Sequence, residues 1–360
     1  MANKHSKKPP ATLQRKSKSE IGVDNFVQKL SEKPILLKKP VEFVEENEKF
    51  IQKLSSFLLF CIYISYKLGF TFAVPFVKYS YKQTTGSDTL YGTGYNDVYI
   101  VIYTVIVLLF LRSMFSSVVG GPLSLYLGIK KTDVRKRFSE QLWGMIYATL
   151  SFSLGLWLTL HYTNLYGYEK FWTEYPLLKM PFALKFYYLT QTSFWFMMVV
   201  YIFVEKPRKD FWIMITHHFV TLSLLIGSYY IKVIAVGTVI HVSMDLVDIF
   251  LPLAKILKYI GYEIACNLAF GVMTLSWIAS RHCALIRLIY NVWVESGIYT
   301  TLKWDPENNF YWSVNVRNFF VLFLISLEVM CMIWLGGIIK IILNVVSGKE
   351  INDIRSDSEE

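Results

Sequence analysis

Two histidines, His217 and His218, stand side by side in an apolar stretch that begins directly after Lys206-Pro-Arg-Lys-Asp210. Two aspartates, Asp245 and Asp248, follow in the next apolar stretch. Ionisable groups are costly inside hydrocarbon and mark function there by default. A carboxylate beside an imidazole fixes its tautomer, orients the ring and stabilises the imidazolium, which is what a general base or an activated nucleophile requires. Asp245 and Asp248 are spaced i, i+3 and share a helix face, and His241 extends that face by one turn at i−4. Adjacent histidines on a helix project about 100° apart, so one can face a substrate while the other is held by a neighbouring group. His241, deeper and without a second local partner, reads as a packing or hydrogen-bonding histidine.

Two other readings compete. Polar side chains often glue membrane helices together, but that role falls mostly to Ser, Thr and Asn rather than to two His and two Asp at one depth. His and Asp together can also hold zinc or non-haem iron. The chain has six histidines, of which His5 lies in the N-terminal arm and His161 and His282 fall nearer the opposite membrane face, which leaves too few ligands. No metal is expected.

The elements that position these residues follow from composition. Hydrophobic residues make up 54% of the chain and charged residues 18%, against about a quarter charged in a soluble domain; mean hydropathy is +0.37. Windows of about 20 residues, enough to cross a hydrocarbon core of about 30 Å, select spans near 54–75, 98–118, 141–162, 182–204, 211–230, 233–253, 264–290 and 318–343. The expected architecture is an all-α, polytopic membrane helix bundle with about eight transmembrane helices. At about 1.5 Å of rise per residue, His217 and His218 lie about 10–12 Å past Asp210. Asp248 and Asp245 lie about 9 and 13 Å from Ala254, taken as the end of their span.

Short cytosolic loops collect Lys and Arg. With the N-terminus in the cytosol, that side receives the basic arm, then Lys130, Lys131, Arg135, Lys136 and Arg137, then Lys206, Arg208 and Lys209, then Lys255 and Lys258. The opposite side receives only scattered lysines, provided that Arg281 and Arg287 lie within the seventh span. Both termini are therefore expected in the cytosol. The net charge of +10 reads as orientation and attraction to lipid headgroups, and the absence of a separate basic domain with interleaved aromatics excludes nucleic acid as a partner. Residues 1–53, rich in Lys, Ser, Pro and Glu, read as a flexible basic cytosolic arm, 54–119 as N-terminal transmembrane helices, and 346–360 as an acidic cytosolic tail. The four cysteines all fall in spans and form no disulfide framework and no CxxC pair.

In order and spacing, Arg208-Lys-Asp-Phe211, His217-His218, Thr221, Asp245, Asp248 and Lys255 resemble the Lag motif of the ceramide synthases, within the TLC domain. Arg137-Phe-Ser-Glu-Gln141 is similar to that domain's entry, and Gln191 with Phe194-Trp195 is similar to a further family run. The similarity covers about 120–345, with the motif at about 205–258, and the basic arm with an extra first helix is more similar to the fungal branch. Met244, Val247 and Pro252 depart from the animal pattern, where histidine, serine and glutamate are common.

The resemblance implies that the later six helices form a TLC-type barrel around a reaction cavity, in the endoplasmic reticulum membrane. It implies N-acylation of a sphingoid base by a long or very-long-chain fatty acyl-CoA, with the acyl-CoA as co-substrate and no cofactor. His217, His218, Asp245 and Asp248 would be catalytic, and Arg208, Lys209, Gln191, Trp195, Arg137 and Lys255 would bind substrate. Membrane lipids, a paralogous catalytic subunit and a small single-span regulatory subunit are the implied partners. The alternative within the wider domain family is a non-enzymatic lipid-sensing or translocon-associated protein.

Overall fold

An apolar run of about 20 residues in hydrocarbon satisfies its backbone polar groups only within itself, as a helix. The structure, a computed structural model, describes residues 40–85, 88–163, 168–205 and 209–347. It begins with helix α1, Pro40–Lys67. Seven further helices are long and apolar enough to cross a membrane: α2 Asp97–Tyr126, α3 Thr132–Tyr162, α4 Phe182–Val204, α5 Phe211–Tyr230, α6 Ile234–Tyr259, α7 Glu263–Tyr299 and α8 Val314–Asn344. Most of the arm, the end of the tail and Arg208 lie outside the described residues.

Among the described residues, the first predicted span, 54–75, is not one of the seven that meet the length and hydropathy of a crossing. Its apolar run stops at Lys67, and the chain turns at Gly69, whose φ of 81° disfavours any side chain. Even so, α1 lies antiparallel to α2. Gln52 donates to Met114 Sδ at 2.6 Å, while Phe76, beyond the other end of α1, packs edge-on against Tyr99 near the start of α2, with centroids 5.1 Å apart.

Several helices outrun their predicted spans. α3 starts at Thr132, α6 continues to Tyr259 and α7 to Tyr299, because a hydropathy window ends where charge begins whereas a helix does not. The depth of the aspartates reckoned from Ala254 is therefore too shallow. Ile231, Lys232 and Val233 alone join α5 to α6, with Lys232 in the left-handed region at a φ of 66°.

A small sheet accompanies the helices of this all-α bundle. β1 (Lys82–Thr85), β2 (Asp88–Tyr91) and β3 (Met180–Pro181) pair antiparallel in that order, with Lys82 opposite Tyr91 and Leu90 opposite Pro181. Lys185, fully buried at the start of α4, ties the sheet to the helices. Its Nζ donates to the carbonyls of Ser80 at 3.0 Å and Gly92 at 2.8 Å and lies 2.7 Å from Asp97 Oδ1. Tyr229 from α5 donates to the other oxygen of Asp97 at 2.7 Å.

The expected barrel is replaced by a bundle, with no closed barrel. The first half of α6, Ile234–Asp245, touches α3, α5 and α7. Its second half, Val247–Tyr259, packs between α3 and α7. The hydrogen-bond ladder of the helix breaks at Leu246, where the backbone stays helical at φ −55° and ψ −46°, and a second gap follows at the carbonyl of Asp248, for which Pro252 has no N–H. The site aspartates flank that break.

Close approach at the centre depends on Gly155 of α3, where a Cβ would lie 2.5 Å from the Tyr187 hydroxyl and 2.7 Å from Val242 Cγ2. Gly155→Ala is expected to destabilise the bundle by about 1–3 kcal/mol through overpacking, read as a lower midpoint of thermal unfolding in detergent. A variant that melts with the wild type would mean that α3 has room to withdraw.

Candidate active site

A cavity of about 280 Å³ runs through the bundle and is lined by residues from α2 to α8. One end is bordered by Arg112, Glu140, Glu205 and Lys255, the middle by His217, His218, Asp245, Asp248 and Arg281, and the far end by Trp172, Val292, Trp312 and Phe320. The wall thus changes from charged to apolar along its length.

His217 and His218 are both buried in α5. His218 Nδ1 lies 2.7 Å from the carbonyl oxygen of Met214, one turn earlier. A carbonyl only accepts, so Nδ1 carries the proton and Nε2 keeps its lone pair. Nε2 has no hydrogen-bond partner among the described residues. Aromatic rings clamp the pair. Trp195 stands edge-on to both, with centroids 5.3 Å from His217 and 5.2 Å from His218, and Trp334 meets the other side of His217 at 5.4 Å. Trp334 is itself fixed by its indole N–H, which donates to Asp210 at 3.2 Å.

The two aspartates are held differently. Asp245 is buried and accepts from Ser151 Oγ at 2.6 Å and from Gln191 Nε2 at 2.8 Å. Gln191 also donates to Ser151 and accepts from Tyr147 at 2.9 Å, so a neutral network from α3 and α4 positions this carboxylate. Asp248, with its side chain 44% exposed, pairs with Arg281 at 2.7 Å. The same guanidinium nitrogen donates to the Met244 carbonyl at 3.1 Å, just before the break in α6, and the group lies over the Trp277 ring at 4.7 Å. Neither histidine hydrogen-bonds to either aspartate. The direct imidazole–carboxylate contact expected from the sequence is therefore replaced by Met214 and the tryptophans on one side and by Ser151, Gln191 and Arg281 on the other.

The structure brings His217, His218, Asp245, Asp248, Trp195 and Lys255 to one cavity wall. Gln191 is fully buried behind Asp245. Arg137 is half-buried and Lys209 exposed, both away from the lining, and Arg208 lies outside the described residues. Sequence reasoning missed Ser151, Trp334 and the ion pair of Arg112 with Glu205, and left Arg281 without a role. Arg112 and Arg281 carried a signal, as permanent charges within spans. Ser151 carried none. Among the described residues, no group of three or more His, Cys, Asp or Glu side chains is placed to hold a metal ion.

An α-helical membrane bundle with a histidine pair and two carboxylates around an internal cavity defines a class of intramembrane enzyme sites. Residues 137–340 match the TLC domain. The chain is 34% identical to the sphingosine N-acyltransferase lag1 of Schizosaccharomyces pombe, over 80% of this chain and 73% of that protein. It is 32% identical to the ceramide synthase LAG1 of Saccharomyces cerevisiae, over 84% and 75%, and 30% identical to the ceramide synthase hyl-2 of Caenorhabditis elegans, over 78% and 88%. The chain belongs to the ceramide synthase family of TLC-domain proteins.

Ser151→Ala and Gln191→Leu each remove a donor from a buried carboxylate and are expected to cost about 1–3 kcal/mol. Most of that cost should vanish in an Asp245→Ala background, giving a coupling energy above about 0.5 kcal/mol in a double-mutant cycle of thermal unfolding. Additive effects would mean that the network acts on something other than Asp245.

Proposed function

We propose that the chain is a ceramide synthase that transfers the acyl group of a long or very-long-chain fatty acyl-CoA to the amine of a sphingoid base, giving a ceramide or dihydroceramide and free CoA. The observation that carries this reading is His218, whose Nδ1–H is committed to the Met214 carbonyl, leaving an Nε2 without a partner among the described residues in the wall of a cavity that runs from a charged end to an apolar one. The family membership supports the substrate class.

A thioester is already activated, so the protein must supply a neutral amine, orientation and a place for the moving proton. The base enters as an ammonium ion and loses one proton to water. As the amine nitrogen forms its bond to the thioester carbon, its remaining excess proton passes to His218 Nε2. The C–S bond then breaks, and the departing thiolate takes that proton from the imidazolium. Asp245 and Asp248, fixed by their own networks, favour the imidazolium through the field they place across the cavity rather than through a hydrogen bond. The apolar end receives an aliphatic chain.

The same nitrogen can instead attack the thioester and carry the acyl group as an acyl-imidazole before the amine arrives. The two routes separate in one measurement: incubation with acyl-CoA and no amine leaves an acyl mass on His218 in the second route and none in the first.

The location proposed is the endoplasmic reticulum membrane, with both termini in the cytosol. The antiparallel course of α1 along α2 supports an eighth crossing beside the seven apolar ones, which an even count requires. In that orientation the charged end of the cavity faces the cytosol, where the polyanionic CoA resides, and Lys130, Lys131, Arg135, Arg137 and Lys209 lie on the same side.

His218→Ala is expected to lower N-acylation of sphinganine by about 100-fold or more, the usual contribution of a positioned base, while thermal unfolding shifts little. The assay is mass spectrometry of amide product from the purified full-length protein. Retention of more than a tenth of the wild-type rate would remove His218 from the reaction.

A further inference from the structure

Below the reacting groups, the cavity wall carries two polar side chains that the chemistry above does not use. Thr221 is four residues past His217 on α5, and His241 is four residues before Asp245 on α6. The two helices run in opposite directions, so both residues lie about 6 Å, one helical turn, farther from the charged end than His217 and Asp245. Both line the cavity, and both are more than nine-tenths buried, with 9% and 6% of their surfaces exposed.

Thr221 breaks the habit of its own helix. Thr216, Ser223 and Ser228 of α5 each donate to the carbonyl four residues earlier, at 2.9, 2.8 and 2.6 Å. The Thr221 hydroxyl makes no such bond and has no partner among the described residues. His241 is gripped edge-on by Tyr187 and Tyr188, with centroids 6.5 and 6.1 Å away. Those tyrosine hydroxyls are engaged elsewhere, Tyr187 accepting from Gln191 and Tyr188 donating to Ser228. The His241 ring is thus oriented without a hydrogen bond to any described residue. Beyond it the wall is almost wholly apolar, formed by Leu225, Val233, Val236 and Leu324 among others.

We propose that Thr221 and His241 form a hydroxyl-recognition subsite, one turn below the reaction centre, for an aliphatic chain that carries a hydroxyl a few bonds from its reacting atom. A hydroxyl donates once and accepts, and the pair matches it: a threonine hydroxyl does both, and a neutral imidazole offers one donor and one acceptor. The inference rests on the proposed N-acyl transfer and adds to it a selection rule. A chain without the hydroxyl leaves two buried polar groups unpaired, which is the strongest basis a site has for rejecting an otherwise identical substrate. The hydroxyl has two possible sources, the amino alcohol that accepts the acyl group or a 2-hydroxyacyl donor. The offset of about 6 Å suits the acceptor better, because its 3- and 4-hydroxyls stand four and five bonds from the carbon being attacked whereas a 2-hydroxyl on the donor stands two.

The test compares ratios within one protein. Purified full-length wild type, Thr221→Val, Thr221→Ser and His241→Phe are assayed for kcat/KM with palmitoyl-CoA and three acceptors: sphinganine, 4-hydroxysphinganine and 3-deoxysphinganine. A second series holds sphinganine fixed and compares palmitoyl-CoA with 2-hydroxypalmitoyl-CoA. The wild type is expected to favour the hydroxylated member of one series by about 10-fold or more, Thr221→Val and His241→Phe to collapse that ratio by about 10-fold, and Thr221→Ser to retain it. The series in which the ratio moves names the source of the hydroxyl. Ratios unchanged in both series, whether all rates fall together or none moves, would overturn the subsite and leave both residues as packing. Absence of amide product with every acceptor in the wild type would overturn the proposed N-acyl transfer, and the subsite with it.

Discussion

The Arg281 guanidinium sits where α6 breaks, donating to the Met244 carbonyl on one side of the break and to Asp248 on the other. A helix that breaks at membrane depth exposes carbonyls that hydrocarbon cannot satisfy, and such a break persists only where protein groups take them up. Arg281 does so while neutralising the carboxylate beside it. The cation is brought there by a π-helical stretch, Ile278–Ala284, in α7, an arrangement common at functional sites. Its next residue, His282, points to a different neighbour, Glu328 of α8, at 2.6 Å. Adjacent side chains of α7 thereby bind α6 and α8.

The division of labour between the two aspartates follows. Asp245 faces only neutral donors, Ser151 and Gln191, whereas Asp248 has a permanent cation. Two carboxylates three residues apart on one face would repel each other if both were left bare in a low dielectric. Giving one a guanidinium and the other a fixed set of dipoles allows both to stand near the histidines. The same logic governs the charged end, where Arg112 pairs with Glu205 and stacks on Tyr201 with 3.5 Å to the ring centroid. No charge in the wall is held by solvent alone.

Local pattern made the seven apolar helices, the histidine pair and the two aspartates legible in the sequence. Apolar windows register where hydrocarbon contact begins and ends, which is why α4 and α5 match their predicted spans and why α3, α6 and α7 overrun theirs through charged turns such as Thr132–Gln141. The partners of Asp245 were not legible, because Ser151 is 94 residues away and Gln191 is 54, and a serine within a span has many bland uses. The small sheet escaped notice because four-residue strands such as Lys82–Thr85 carry too little pattern to distinguish them from loop. His241 was discounted for want of a local partner. Its surroundings explain the discount, since the ring is held by two tyrosines from α4 that no local window includes.

Water is the competitor that such a site must exclude. An acyl thioester held beside a basic nitrogen is open to hydrolysis as readily as to attack by an amine, and a carrier such as an acyl-imidazole would be more so. Around His217 and His218 the first neighbours are the rings of Trp195 and Trp334, with Trp277 behind them at 6.4 Å from Trp334. These rings orient the imidazoles through edge contacts, as carboxylates would through hydrogen bonds, but without drawing solvent to the site. Each carboxylate on the same cavity wall is satisfied by its own partners, Asp245 by Ser151 and Gln191 and Asp248 by Arg281. The histidine pair is thereby oriented without a hydrogen bond to either aspartate, by ring contacts that bring no hydration of their own to the cavity.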